Sequence, residues 1–339
     1  MELLKQLYEI HSPSHHEGKM IQFIKKHIKS LNQDINVDID KKNGNIYITK
    51  GQSATYPCIV AHLDQVQTKY PNDYKVIMTE DVVLAYSAKH RRQCGLGADD
   101  KNGIWVALKC LEKYDVMKVA FFVAEEIGTV GSSQAQMEFF DDCRFVVECD
   151  RKGYKDLVTE ISGDLCSNEF IKDTNYKKFG YEPHDGGLTD VMTLKELGLH
   201  VSCCNMSCGY YAPHTDHETT VIADLQNCLA FVENIIENCT LVYSHEYGTK
   251  MFGQGYYCYY SEYDYLYEQV EEIFIDRPDL TFDELCSYFE PHIKTDDIKC
   301  AYEELRAYYG FNTTDQEELE DKPNEETPQI FTPKFLRGL

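Results

Sequence analysis

Short apolar segments alternate with amphipathic ones over the first 240 residues of the chain. Residues 17–31 place Met20, Ile24 and Ile28 on one side, at the spacing of an amphipathic helix. Short apolar runs bounded by polar residues are typical of strands. The pattern predicts strands at residues 35–39, 46–49, 58–61, 76–78, 82–86, 116–123, 144–149 and 200–204, and further helices at residues 103–113, 190–197 and 222–238. This alternation predicts an α/β fold with a mixed, mostly parallel sheet and helices on both faces.

The composition changes after residue 240. Residues 240–339 hold 22 acids against 8 lysines and arginines. Three short helices are predicted at residues 263–274, 282–289 and 296–309, the second opened by a capping box of Thr281 and Glu284. Residues 314–328 are acidic and carry prolines, which is typical of disorder. We therefore expect an α/β domain at 1–240, a Tyr-rich, acidic helical extension at 241–312 and an acidic, disordered tail at 313–339.

Charge and cysteine usage narrow the function classes. Lys and Arg total 33 against 57 Asp and Glu, a net charge of −24 that repels nucleic acid and anionic lipid. No apolar run approaches the ~20 residues of a membrane span, and the first residues do not form a signal peptide. The 14 cysteines therefore fit reduced thiols of a cytoplasmic protein. We expect no nucleic-acid or membrane partner, and the sequence leaves open whether the chain forms a homo-oligomer.

Metal-binding residue types stand at the ends of predicted strands. The strand at 58–61 leads into His62, and Asp64 is placed to accept a hydrogen bond from its imidazole. A glycine-rich turn at residues 95–103 carries Asp99 and Asp100. That turn lacks both the G-x-G-x-x-G and GK[ST] patterns, and adjacent acids repel phosphate, so we do not expect a nucleotide loop. Singly, these residues also fit structural roles, such as a helix cap by either acid of the turn.

Three further places share this property. Glu125 and Glu126 interrupt the end of the apolar strand at 116–123, where acids are costly unless a cation compensates or the edge is solvated. Asp150 ends the strand at 144–149, and His214 lies in a turn before the last helix. The collected set is His62, Asp99, Glu126, Asp150 and His214. Two imidazoles and three carboxylates suit two zinc ions that share one bridging carboxylate, with cobalt or manganese as alternatives.

The motifs in this order resemble a known superfamily. The segments AHLD, GLGADDKNG, AEEIG, ECD and PHTDHE begin at Ala61, Gly95, Ala124, Glu148 and Pro213. They are similar to the co-catalytic zinc exopeptidases, the group of peptidase T, glutamate carboxypeptidase and bacterial leucyl aminopeptidase. The opening segment, which ends at Glu17, resembles that family's Ser-x-Ser-Gly-x-Glu helix start. The resemblance covers roughly residues 1–240.

The resemblance implies a role for each of these residues. One metal would be bound by His62, Asp99 and Asp150. The other would be bound by Asp99, Glu126 and His214. Asp64 would orient His62, Glu125 would act as general base on a water that bridges the metals, and the peptide bond from Asp99 to Asp100 would be cis. Only 63 residues separate Asp150 from His214 and 36 separate His62 from Asp99, so we expect no inserted lid domain.

The implied function is a metal-dependent exopeptidase, an aminopeptidase or a di- or tripeptidase acting on small peptides. Asp185 stands where peptidase T carries an arginine, which favours an α-ammonium over an α-carboxylate as the recognised group. One alternative is an amidohydrolase, deacylase or carboxypeptidase acting on N-acyl amino acids. A second is a non-catalytic relative that binds metal or peptide. A serine hydrolase is not expected, because no G-x-S-x-G segment occurs.

Overall fold

An eight-stranded mixed sheet lies at the centre of the larger part of the molecule. The computed structural model describes residues 1–31, 34–248, 280–289 and 295–308, with single positions between 266 and 277. The chain divides into two compact units, Met1–Phe252 and Gly253–Leu339. The assignment of residues 1–240, 241–312 and 313–339 to separate functional regions stays a prediction.

The first unit contains thirteen strands and six α-helices among its described residues. The strands are β1 (Ile35–Ile39), β2 (Ile46–Lys50), β3 (Tyr56–His62), β4 (Tyr74–Met78), β5 (Val82–Ser87), β6 (Arg92–Cys94), β7 (Met117–Phe122), β8 (Cys143–Arg151), β9 (Asp156–Glu160), β10 (Glu182–Asp185), β11 (Cys203–Ser207), β12 (Tyr210–Tyr211) and β13 (Thr219–Val221). The helices are α1 (Glu2–Tyr8), α2 (Gly18–Ser30), α3 (Ala98–Lys113), α4 (Asn168–Asp173), α5 (Asp190–Glu196) and α6 (Ile222–Asn238).

The main sheet runs in the order β1-β2-β7-β3-β8-β11-β9-β10. Strands β7, β3, β8 and β11 form its parallel centre, whereas β1, β2 and the contact of β11 with β9 are antiparallel. The expected mixed, mostly parallel sheet is confirmed. Parallel strands end at the same edge, so the residues that follow β3, β7 and β8 are brought together.

Alternation along the central strands gives each face its own core. Ile59 and Ala61 of β3 join the side chains of α1, α2, α3 and α6 on one face. Cys58 and Val60 point to the other face, where α5 covers the sheet. Helices therefore pack on both faces, as expected. A strand buried on both sides carries a continuous apolar run, which is why β3 and β7 were predictable.

A second, five-stranded sheet contains β12, β13, β5 and β4 in that order, with β6 also paired to β5. Its strands alternate between buried and less buried positions, as in an antiparallel sheet with one face on the core. We predicted β4 and β5 as strands but not that they leave the main sheet. Strands β6, β12 and β13 have only two or three residues each, too few for a hydrophobic period.

Neither interval between the candidate ligands holds a separate lid. Residues 62–99 supply β4, β5 and β6 of the second sheet. Residues 150–214 supply β9, α4, β10, α5, β11 and β12. All of these residues are described and belong to the first unit, in agreement with the predicted lidless plan.

One predicted strand was placed too early. The apolar residues at 200–204 indicated a strand there, whereas the structure has β11 at Cys203–Ser207. The amide of Ser202 instead donates to the carbonyl of Tyr243, which lies after α6. The polar residues Asn205 and Ser207 then continue the strand beside β8. Such polar strand residues carry no apolar signal, so a sequence pattern alone stops short of them.

In the second unit the described helices are α7 (Phe282–Cys286) and α8 (Thr295–Tyr308). The predicted capping box of Thr281 and Glu284 is present at the start of α7. Buried side chains of this unit form their own apolar cluster, with members Leu266, Val270, Phe274, Leu285, Ile298, Ala301, Tyr302 and Leu305. Much of the predicted helix at 263–274 and the whole tail at 313–339 lie outside the described residues. Within the described part of the chain, no helix has the length and apolar character needed to span a bilayer.

Candidate metal centre

Three of the candidate ligands, His62, Glu126 and Asp150, lie at or just beyond the ends of neighbouring parallel strands of the main sheet. His62 is the last residue of β3 and pairs with Phe122, the last residue of β7. Glu125 and Glu126 come three and four residues later, and Asp150 lies one residue before the end of β8. These side chains meet at the carboxyl edge of the sheet, where open α/β sheets bind ligands.

The second sheet brings Asp99 and His214 to the same place. Cys94 of β6 and Thr219 of β13 pair with the adjacent β5 residues Ala85 and Leu84, so the two strands lie end to end along β5. The turn that leads to Asp99 starts after β6, and the segment that carries His214 ends where β13 begins. Both therefore leave the same junction.

Asp99 lies between the two imidazoles. Its Oδ1 is 2.9 Å from Nε2 of His62, and its Oδ2 is 3.2 Å from Nε2 of His214. Each imidazole also faces a second carboxylate: Oδ2 of Asp150 is 3.7 Å from His62, and Oε2 of Glu126 is 3.1 Å from His214. The structure thus places all five candidate ligands around two adjacent positions that share one carboxylate. The peptide bond from Asp99 to Asp100 is cis.

Asp100 is close to the same atoms, and ligand atoms of His62, Asp100 and Asp150 lie within 4.8 Å of one another. Its oxygens, however, already accept hydrogen bonds from backbone amides. They accept from the amide of His62 at 3.3 Å and from the amide of Gly103 at 2.9 Å. Asp99, whose oxygens face the two imidazoles, is therefore the better candidate for a bridging ligand.

Asp64 contacts both the imidazole and the loop after β7. Its Oδ1 lies 3.4 Å from Nδ1 of His62, on the side of the ring opposite Asp99. The same carboxylate accepts from the amides of Glu125 at 2.9 Å and Glu126 at 3.3 Å, and from the hydroxyl of Ser14 at 2.7 Å. One buried carboxylate thus fixes the ring of His62 and both glutamates relative to each other.

Glu125 lies beside His62 rather than between the imidazoles. Its Oε2 is 3.9 Å from Nε2 of His62, and its side chain is 11% exposed. Burial, helped by the charges of Asp150, Asp190 and Glu126, raises the pKa of Glu125 well above its usual value. A cation bound nearby would act in the opposite direction and lower the pKa of this carboxyl.

Burial and neighbouring charges shift the pKa values of the carboxylates and imidazoles of the centre in different directions. Burial would raise the pKa of Asp99, but His214 and His62 lower it well below its usual range. Burial would lower the pKa of His62 and His214, but their carboxylate neighbours raise both. Burial, with the charge of Asp99, raises the pKa of Glu126 to about 7. The neighbouring carboxylates therefore favour the protonated form of both imidazoles.

The buried charges around the centre are mostly negative. The fully or nearly fully buried acids are Glu17, Asp64, Asp99, Asp100, Glu126, Glu148, Asp190 and Glu218. Against them stand two imidazoles, while the buried Lys101 donates to Gln65 instead of a carboxylate. Buried anions are costly unless cations compensate them, so this donor set fits bound divalent metal ions.

From the sequence, no role was assigned to several residues that contact the candidate ligands or the segments that carry them. Glu218 accepts hydrogen bonds from the backbone of the turn that carries Asp99. Glu17 accepts from the amide of Ala124 at 3.1 Å, just before the two glutamates. Both acids stood inside motifs that the resemblance had singled out. Tyr210, whose hydroxyl donates to Oδ1 of Asp150 at 3.0 Å, had no such signal.

Asp185 occupies the exposed edge strand β10, where it pairs with Glu160 of β9. No described side-chain contact joins it to the candidate ligands. The preference for an α-ammonium that its charge suggested therefore stays a prediction.

No protein-family model and no curated protein sequence matches this chain. Solved structures do resemble it. The aminopeptidase PepT of Bacillus cereus superposes with a TM-score of 0.56 at 14% identity, over 70% of this chain and 96% of that one. A tripeptidase of Staphylococcus aureus gives 0.56 at 15% identity, over 70% and 97%. The Pyrococcus horikoshii TET1 peptidase gives 0.51 at 13% identity, over 69% and 98%. The chain therefore has the fold of these peptidases.

Proposed function

We propose that the chain is a metal-dependent exopeptidase that removes residues from the amino end of small peptides. The observation that carries this proposal is the position of Asp99, whose two oxygens face two imidazoles that each have a second carboxylate neighbour. Paired sites with a shared carboxylate hold two divalent ions in hydrolases that cleave amide bonds. The fold that the chain shares with known peptidases supports the same reaction class.

Two ions would be held by residues of this chain alone. His62, Asp99 and Asp150 would hold one, and Asp99, Glu126 and His214 the other. Imidazole and carboxylate ligands suit zinc, with cobalt and manganese as alternatives that the same donors accept. When bound, such ions polarise a carbonyl and lower the pKa of water.

Glu125 is the proton carrier in this proposal. Its carboxylate lies 3.9 Å from the imidazole of His62 and has no place among the five ligands. In the anionic form Glu125 takes a proton from the attacking water, and it then gives that proton to the amine that leaves. Asp64, which accepts the amide of Glu125 at 2.9 Å, keeps this loop beside the metal ligands.

The substrate we propose is a short peptide with a free amino end. The Staphylococcus aureus tripeptidase and the Bacillus cereus aminopeptidase have this fold, which supports peptides as the substrate class. A homo-oligomer belongs to the proposal as well, because the TET1 peptidase can assemble into a tetrahedron or a large octahedral shell. A cytoplasmic location stays a prediction from the sequence.

The test is hydrolysis of a free tripeptide and its N-acetylated form by zinc-loaded protein, with and without a chelator. We expect cleavage of the free tripeptide only, loss of activity with chelator and recovery with added zinc. Cleavage of the acetylated peptide alone would instead indicate a deacylase or carboxypeptidase. Turnover of neither peptide by a metal-loaded sample would contradict exopeptidase action.

A further inference from the structure

Glu218 is a fully buried carboxylate that none of the proposed catalytic steps uses. It stands immediately before β13, at the junction from which the segments of Asp99 and His214 leave. Its carboxylate accepts hydrogen bonds from three consecutive backbone amides, those of Gly97 at 2.5 Å, Ala98 at 2.8 Å and Asp99 at 3.1 Å. Hydrogen bonds to an ionised carboxylate are roughly twice as strong as those between neutral groups.

Both oxygens of Glu218 are occupied. Oε1 accepts from Ala98 and Asp99, and Oε2 accepts from Gly97 and from the side-chain amide of Gln67 at 3.4 Å. A carboxylate offers about four acceptor positions, and here each receives a donor. Glu218 therefore acts on the backbone of the turn and is not an additional metal ligand.

The turn has little freedom on its other side. Gly97 has φ of +65°, and a Cβ at this position would lie 2.7 Å from Nζ of Lys101 and 2.9 Å from Nε2 of Gln65. Lys101 is itself held, because its ammonium donates to Oε1 of Gln65 at 2.5 Å. The backbone from Gly97 to Asp99 is thus confined between this lysine–glutamine pair and the carboxylate of Glu218.

The segment from His214 to Glu218 holds Asp99 at two points. His214 contacts the side-chain oxygen Oδ2 at 3.2 Å, and Glu218 accepts the backbone amide at 3.1 Å. Because the backbone of Asp99 is held in place, the position from which its side chain extends is held as well. A small rotation of the turn would move Oδ1 away from His62 or Oδ2 away from His214.

We propose that Glu218 is a positioning residue that sets the bridging geometry of Asp99, so that its loss weakens the binding of both metal ions together. This inference rests on the proposed two-metal function. Weakened binding of both ions differs from the effect expected of a residue that supports a single ligand, whose loss should weaken one ion only. Tyr210, which donates to Asp150 alone among the proposed ligands, provides that comparison.

The experiment compares E218Q with two other variants. In E218Q an NH₂ group replaces one oxygen and meets two donors, so at least two hydrogen bonds are lost. Y210F removes the hydroxyl that contacts Asp150. D73N is the matched control, because Asp73 also accepts a backbone amide, that of Lys89 at 2.7 Å, and the hydroxyl of Ser87 of β5 at 2.8 Å. Zinc affinity and stoichiometry are measured by competition with a chelator.

We expect E218Q to lose roughly 10- to 100-fold in affinity for both ions, the range known for residues that support metal ligands. Y210F should weaken one ion only, and D73N should bind zinc as the wild type does. A folded E218Q with wild-type affinity for both ions would overturn the inference, even with a lowered melting temperature, since that outcome indicates a general structural role.

Hydrogen exchange of the metal-free proteins gives a second readout that needs no metal and no activity. The amides of Gly97, Ala98 and Asp99 should exchange faster in E218Q than in D73N or the wild type. Unchanged exchange would overturn the positioning role even if the chain proved to bind no zinc, a result that would separately contradict the proposed function. Should E218Q not fold, E218D keeps the charge with a shorter reach, and the same two measurements apply.

Discussion

At the scale of single residues, the two adjacent glutamates after β7 have different surroundings. Glu126 lies 3.1 Å from Nε2 of His214, whereas Glu125 lies 3.9 Å from Nε2 of His62. Asp64 accepts hydrogen bonds from the backbone amides of both. The two side chains therefore start from the same fixed backbone and extend to different imidazoles. In the proposed mechanism, Glu126 binds a metal and Glu125 carries a proton.

Replacing Glu125 by Gln should therefore separate rate from metal binding. The amide keeps the shape of the side chain but takes up no proton. We expect kcat to fall roughly 10²- to 10⁴-fold, the usual contribution of a positioned acid or base. Zinc content should stay at the wild-type value, which elemental analysis of the same sample checks. Retained kcat would contradict the assigned role.

The residue scale also shows what the sequence could supply. His62, Asp99, Glu126, Asp150 and His214 were found because each stands at a strand end or in a loop beside one, and the structure brings them together. Tyr210 and Asn205, which bond Asp150, were not found. Their hydrogen bonds join residues more than fifty positions apart, and neither residue type carries a metal-binding signal of its own.

At the scale of elements, the turn from β6 into α3 leaves no room for a side chain at position 97. Glycine at position 97 is required by both its φ of +65° and the contacts that a Cβ would make with Lys101 and Gln65. Gly180 offers a matched control, because it has φ of +76° and nothing within 4 Å of an added Cβ. The two positions share the backbone cost of a side chain and differ in the available space.

Gly97→Ala should destabilise the protein more than Gly180→Ala. The left-handed backbone costs a side chain about 1–2 kcal/mol at either position. At position 97 the buried lysine and glutamine must move as well, which adds to that cost. Urea unfolding measures both variants. Equal unfolding free energies would show that the turn has room that the structure does not show.

The second sheet is the element-scale feature that the sequence did not predict. The periodicity of β4 and β5 predicted two strands, but a period of two says nothing about which strand pairs with which. Strands β6 and β13 are three residues long and are stabilised by β5 rather than by their own pattern. This sheet positions the segments that carry Asp99 and His214. The sequence motifs therefore indicated these candidate ligands but not the strands that position them.

At the scale of the whole molecule, the chain has a net charge of −24. The buried charges of the candidate metal centre are also mostly negative. In the proposed two-metal site, the ions would bind the folded chain at several carboxylates that repel one another without them. Ligands that bind only the folded state stabilise it by mass action. The first unit should therefore be less stable after its metal is removed.

Chelator treatment should lower the melting temperature of the wild type by roughly 5 °C or more. At a metal concentration 100 times Kd, one site contributes about 2.7 kcal/mol. A domain of about 150–250 residues, close to the size of the first unit, gains about 2–4 °C per kcal/mol. Differential scanning calorimetry before and after chelation, followed by zinc addition, measures the effect. Identical melting temperatures in all three samples would mean that no ion is bound where the charges require one.

The most direct test of the two-metal centre is elemental analysis of the zinc-equilibrated protein after gel filtration, for the wild type and for Glu126→Ala. The geometry around Asp99 predicts about two zinc ions per wild-type chain and about one in the variant, which keeps His62, Asp99 and Asp150. A folded wild type that holds no zinc, or a variant that retains the wild-type content, would contradict the assignment of these residues as ligands.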